Sequence, residues 1–236
     1  MGINLTKEYS LNFSLPKRVK KNLKFIVIHY TGMKKESEAI DRLCDPKFKV
    51  SSHYFIKYNG NILNLVPDLY TSWHAGKSRW GKYSSLNKYS IGIEISNPGH
   101  NYGYKRFNSK QIYSLKKLLK YLMKKYVIKS KNILGHSDIA PNRKKDPGEK
   151  FPWKELSRND LCLWHKLDKR LLNKSRKKQI ELYEEKNFFS NLYKIGYSRH
   201  KKKILIKAFQ RKFRQDLING KIDKECYLIS KSLSKS

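Results

Sequence analysis

Two of the seven histidines in the chain stand where an apolar run ends: His29 closes FIVIH and His136 closes ILGH. Asp146 follows in a stretch punctuated by Pro141, Pro147 and Pro152. Two neutral imidazoles and one carboxylate from separate segments make a three-ligand set that leaves a fourth tetrahedral position open to water, which is how catalytic zinc is held. A histidine at a strand end also serves as an ordinary hydrogen-bonded structural residue, so spacing alone leaves both readings open. Active sites of parallel α/β sheets lie beyond the carboxyl ends of strands, where both histidines fall. A further carboxylate, Glu94, sits on the second face of SIGIEIS, whose Ile91, Ile93 and Ile95 fill the first. Cys162 and His165, close together in LCLWHKL, read as core packing rather than as a metal pair.

Several elements must position these groups. Residues 25–29 are apolar on both faces and predict a central strand. Glu36 to Cys44 predicts a short helix stopped by Asp45-Pro46. HYFIKYNGNILNLV predicts a hairpin around Asn59-Gly60. Residues 67–89, rich in Ser, Gly, Trp and Tyr without periodicity, predict a long surface loop. The clearest helix starts at Asn108 or Ser109, with Gln111 placed to close a capping box and Ile112, Leu115, Leu119, Leu122 and Met123 along one side. Strands alternating with helices give a mixed central β-sheet flanked by helices, an α/β fold, over residues 1–165. Residues 166–180 read as a charged helix or linker. Residues 181–236 read as a small domain of three amphipathic helices, around Glu181–Ile195, Lys201–Phe213 and Asp223–Leu233.

The chain of 236 residues has 53 Lys or Arg against 19 Asp or Glu, a net charge of +34, and its 39% apolar content excludes a disordered tail protein. No apolar stretch approaches the length of a membrane span. The charge is diffuse: 21 basic and 7 acidic residues lie from Lys166 onwards and 32 and 12 before it, with 42 Lys to 11 Arg. Specific nucleic-acid recognition favours arginine forks on a concentrated face, so no specific nucleic acid is expected as partner. Three dispersed cysteines, Cys44, Cys162 and Cys226, argue against a disulfide framework. No signal peptide is read near the start, which points to the cytoplasm if Met1 is the true start. The alternative is the periplasm or an outer-membrane association.

FIVIHYTG, VSSHYFI, the Trp73-His74-Ala75-Gly76 segment, SIGIEISNPG and GHSDIAPNRKKDPG occur in an order and spacing that resembles the AmpD-like N-acetylmuramoyl-L-alanine amidases. These share a fold with phage lysozyme-amidases and peptidoglycan recognition proteins. The resemblance covers residues 20 to 160. It implies a zinc ion (Zn2+) on His29, His136 and Asp146, Glu94 as catalytic acid/base, and Lys144, two residues before the ligand Asp, as the cation that stabilises the transition state. Amide hydrolysis needs an activated water, a base that passes its proton to the leaving amine, and a positive charge at the oxyanion, and this set supplies all three. His53, Trp73 and His74 fall inside the blocks and are expected to bind substrate along the cleft.

The tail segments NLYKIGYS, ILIKAFQRKF and NGKIDKECYLI resemble the type 1 peptidoglycan-binding domain, through Ile195-Gly196-Tyr197, Ala208-Phe209-Gln210 and Gly220 through Asp223. Both resemblances imply the same partner, peptidoglycan or anhydro-muropeptides, and tethering by the tail would raise the local substrate concentration. The competing expectation is a peptidoglycan-recognition protein that binds without cutting, against which the full ligand set with Glu94 and Lys144 argues.

Overall fold

The structure, a computed structural model, describes residues 5–235; the start of the chain weighed above lies outside them. Ten strands are present among the described residues: β1 Leu5–Lys7, β2 Phe13–Ser14, β3 Phe25–Tyr30, β4 Tyr54–Ile56, β5 Ile62–Asn64, β6 Thr71–Ser72, β7 Arg79–Trp80, β8 Tyr83–Ser84, β9 Ser90–Ile95 and β10 Ile133–Gly135. Six of them form one sheet in the order β1-β5-β4-β9-β3-β10. The pairs β4·β9, β9·β3 and β3·β10 are parallel, and β5 turns back antiparallel to β4 around the Asn59-Gly60 hairpin. β3 and β9 are thus central strands, which is why their segments carry apolar residues on both faces.

The first face takes Ile26, Ile28, Ile91, Ile93, Ile95 and Ile133 and is covered by helix α2, Ser109–Tyr126, through Ile112, Leu115, Leu118, Leu119 and Leu122. Each such buried side chain contributes about 1.5–3 kcal/mol. The expected capping box is formed, with the Asn108 side chain accepting from the Gln111 N–H (2.9 Å) and Gln111 Oε1 accepting from the Asn108 N–H (3.1 Å). At its other end α2 stops on Val127, a β-branched residue at φ +53° that is 86% exposed. This left-handed conformation strains valine and suits asparagine, and nothing packs on the side chain. Val127→Asn is therefore expected to stabilise the protein by about 1 kcal/mol, read as a rise of roughly 2–4 °C in Tm.

On the second face, helix α1 (Glu36–Cys44) covers Phe55, Leu63 and Leu65 with Ala39 and Leu43. Phe25, Val27 and Leu134 instead meet the C-terminal helices α6 (Leu182–Ile195), α7 (Lys202–Phe213) and α8 (Lys224–Leu233) in one cluster with Phe188, Leu192, Leu205, Phe209 and Phe213. These helices lie where their amphipathic periods predict them, and the sheet and the tail share a core. The 166–180 stretch carries α5 (Lys169–Ser175), with Leu172 buried, and Arg176 grips Glu225 of α8 through two hydrogen bonds of 2.7 and 2.8 Å. Within it Leu172 and Ser175 are buried, while most of its other side chains face solvent.

The tail's signature residues are engaged internally. A Cβ on Gly196 would stand 2.4 Å from the Trp80 ring, and Tyr197 stacks edge-on against the same ring and donates to Asp138 Oδ1 at 2.9 Å. Buried Gln210 donates to the Lys221 carbonyl and accepts from the Gly220 N–H, pinning the turn before α8, while Asp223 caps α8 by accepting from the Cys226 N–H. Trp80 belongs to the 67–89 segment expected as surface loop. That segment holds the β7–β8 ladder and a 3-10 turn at Leu86–Tyr89, and it buries Ala75, Trp80 and Leu86 because the tail packs over it.

Candidate active site

His29 and Glu94 lie directly opposite each other in the β3–β9 register, on the sheet face that α1 and the tail leave uncovered between them. His136 opens the short helix α3 (His136–Ile139) rather than closing β10, because Asp138 accepts from the Gly135 N–H (2.8 Å) and turns the chain. Asp146 is brought back to it by the Ser137 N–H, which donates to the Asp146 carbonyl at 2.9 Å.

The three side chains converge. His29 Nδ1 is 2.9 Å from His136 Nδ1 and 3.0 Å from Asp146 Oδ2, and His136 Nδ1 is 3.1 Å from the same oxygen, with all three residues buried. Two imidazole nitrogens this close can share at most one proton, so the arrangement calls for a cation. Donors on a tetrahedral zinc stand about 3.3 Å apart, a few tenths wider than this triangle, and two nitrogens with one oxygen are a zinc donor set. His136 Nε2 faces the Ala75 carbonyl at 3.2 Å. Arg143 Nη2 also stands 3.3 Å from that nitrogen, so Nε2 lies between an acceptor and a donor while Nδ1 faces the centre. Burial, with His136 nearby, lowers the His29 pKa to about 4, keeping it neutral as a ligand must be. Burial acts to raise the Asp146 carboxyl, but its contacts with His136 and His29 outweigh it and hold Asp146 below the ordinary carboxylate range.

Glu94 and Lys144 line the same cleft of about 460 Å3. Glu94 Oε2 is sealed from solvent with no hydrogen-bond partner among the described residues. Burial, reinforced by Asp146 and opposed by Lys144, pushes its pKa up to about 8. The Lys144 ammonium has no carboxylate partner among the described residues, whereas the neighbouring Arg143 guanidinium is tied to the Ala75 and Lys77 carbonyls.

Residues 19–149 match the family described as N-acetylmuramoyl-L-alanine amidase. The chain belongs to this family. The amidase is 34% identical over 230 residues to the N-acetylmuramoyl-L-alanine amidase AmiD of Escherichia coli, covering 89% of this chain and 82% of that protein. Its structure resembles that of E. coli AmiD in complex with anhydro-N-acetylmuramic acid-L-Ala-D-gamma-Glu-L-Lys, with a TM-score of 0.79, 33% identity and coverage of 91% and 89%. AmpDH3 from Pseudomonas aeruginosa in complex with an anhydromuramic pentapeptide is similar at a TM-score of 0.79 and 30% identity, over 91% of this chain and 92% of that one.

Of the residues expected to bind substrate, Trp73 and His74 line the amidase cleft and His53 does not. Trp73 is held by its indole N–H donating to Ser14 Oγ at 2.8 Å. His74 is buried behind His29, its Nδ1 3.0 Å from His29 Nε2, and burial beside His29 and His53 holds its pKa well below the ordinary histidine value. His53 lies outside the cleft lining, engaged with the backbone around it. Its Nδ1 accepts from the Gly92 N–H at 2.9 Å and its Nε2 meets the Tyr70 carbonyl at 3.0 Å, so its hydrogen-bonding capacity is spent bracing the sheet.

Sequence reasoning missed the far wall of the amidase cleft. There the Tyr30 hydroxyl meets His100 Nδ1 at 2.8 Å, His100 Nε2 meets Glu149 at 3.1 Å, and Tyr104 stacks on the His100 ring with centroids 4.4 Å apart. Tyr30 and Glu149 lie 70 and 49 residues from His100, and no local pattern around His100 announces them.

Proposed function

We propose that the amidase uses zinc held by His29, His136 and Asp146 to hydrolyse the amide between the lactyl group of N-acetylmuramic acid and L-alanine. Its substrates are anhydro-muropeptides or peptidoglycan. The observation that carries this reading is the convergence of His29 Nδ1, His136 Nδ1 and Asp146 Oδ2 beside the partnerless Glu94 Oε2. Relatives whose solved structures hold anhydromuramic peptides support the substrate class.

A zinc ion bound there would polarise the scissile carbonyl and lower the pKa of a bound water to about 7. Glu94 takes the proton of the attacking water at Oε2 and hands it to the leaving nitrogen, so that the C–N bond breaks to a lactyl carboxylate and a free L-alanine amine. A carboxylate that first takes and then returns a proton supplies both halves of that transfer. The Lys144 ammonium faces the negative charge that develops on the carbonyl oxygen. Trp73 offers a flat apolar surface to sugar or peptide at the cleft wall.

The purified protein, supplied with zinc, is expected to release free stem peptide from an anhydro-muropeptide, detected by mass spectrometry. Binding of the muropeptide with no peptide release would overturn the reading in favour of recognition without cleavage.

A further inference from the structure

Behind the proposed ligand His29 stands a column of hydrogen bonds that reaches the backbone of the 3-10 turn at Leu86–Tyr89. Ser90 Oγ lies 2.6 Å from the Leu86 carbonyl and 3.1 Å from His74 Nε2, and His74 Nδ1 lies 3.0 Å from His29 Nε2. Proton placement along it is forced from one end. The Leu86 carbonyl has no proton, so the single Ser90 hydroxyl proton points to it, and Ser90 Oγ can then only accept from His74. His74 Nε2 therefore carries a proton. No carboxylate is hydrogen-bonded to His74 among the described residues, and a neutral imidazole has one N–H, so its Nδ1 is bare and accepts from His29 Nε2. His29 is left with its lone pair on Nδ1, the atom that faces His136 and Asp146.

The ring of His74 is also seated for this role. A Cβ on Gly92 would stand 2.4 Å from His74 Cγ, so only glycine at that point of β9 lets the ring lie against the strand between Ser90 and His29. Asn87 Oδ1 accepts from the His74 and Ala75 N–H groups and fixes the backbone that carries the ring.

We propose that Ser90 and His74 are positioning residues that lock His29 in the Nε2–H tautomer and so present Nδ1 to the metal. The ordinary pull on His29 runs the other way, since Asp146 Oδ2 stands 3.0 Å from Nδ1 and would welcome a proton there. The column opposes that pull and keeps the donor atom free.

Zinc affinity of the full chain, measured by competition with a chromophoric chelator, is expected to fall 10- to 100-fold in His74→Leu. His74→Asn, which puts an amide Oδ1 where Nδ1 was, is expected to restore most of it. Equal affinities in parent and His74→Leu, or equal losses in both variants, would overturn the proposal, the second because it marks a packing role only. Nitrogen-15 NMR of the metal-free parent protein supplies a readout that needs no variant to fold. His29 is expected to carry its proton on Nε2, with the other tautomer appearing in Ser90→Ala, and a proton on His29 Nδ1 in the parent overturns the idea. The inference rests on the zinc reading above. A parent protein that binds no zinc defeats that reading, while the metal-free tautomer decides this one.

Discussion

Glu94→Gln is expected to lower kcat for anhydro-muropeptide hydrolysis by about 10²–10⁴-fold while leaving zinc content unchanged. The amide keeps the shape of the side chain on β9 but can neither take a proton from water nor deliver one to an amine. Glu94 contributes none of the three atoms that meet at 2.9–3.1 Å, so the proposed metal site keeps all its donors. Steady-state turnover and metal content on the same preparation check this. Normal turnover in a zinc-loaded variant would remove Glu94 from the proton path and leave its sealed, partnerless oxygen without a chemical reason.

A comparably large effect is expected far from the chemistry. Lys212 of α7 stands 2.9 Å from Asp138 Oδ2, donates to the Ile133 carbonyl at 3.1 Å and sits 4.3 Å from the centre of the Trp153 ring. Both charged groups are buried, at 3% and 1% exposure. Removing one member of such a pair leaves an uncompensated charge inside the protein, which costs about 3–5 kcal/mol. Lys212→Ala is therefore expected to lower Tm by on the order of 10 °C. Asp138 caps α3, whose first residue is the proposed ligand His136, so the same variant is expected to bind zinc more weakly as well. Thermal unfolding and chelator competition measure the two effects, and an unchanged Tm would mean that water reaches the pair.

The legible parts of this fold are those governed by local periodicity. The run FIVIH could only be a central strand, Asn59-Gly60 could only turn a hairpin, and Asn108 with Gln111 marked the start of α2 to the residue. The three tail helices follow from the same 3.6-residue pattern. His29, His136 and Asp146 were found because metal chemistry needs few residue types, and resemblance to a known family then ordered them. What local pattern cannot carry is pairing at a distance. The Lys212–Asp138 contact, the Tyr30–His100–Glu149 chain and the seat of Trp80 against Gly196 join segments dozens of residues apart or more, and composition gave Lys212 the same look as 41 other lysines. The surroundings of His53 were not legible for a related reason, since whether a histidine faces a cleft or a sheet depends on what covers the strand.

The shared core has a consequence for how the protein comes into being. Lys212 follows Asp138 by 74 residues, so at about 5–20 residues per second a ribosome adds the lysine roughly 4–15 seconds after the aspartate. During that interval the turn that carries His136 has an apolar sheet face open beside it and a carboxylate with no cation to meet. The donors His29, His136 and Asp146 are all made by residue 146, but the core that the sheet shares with α6, α7 and α8 is complete only once the tail has been made.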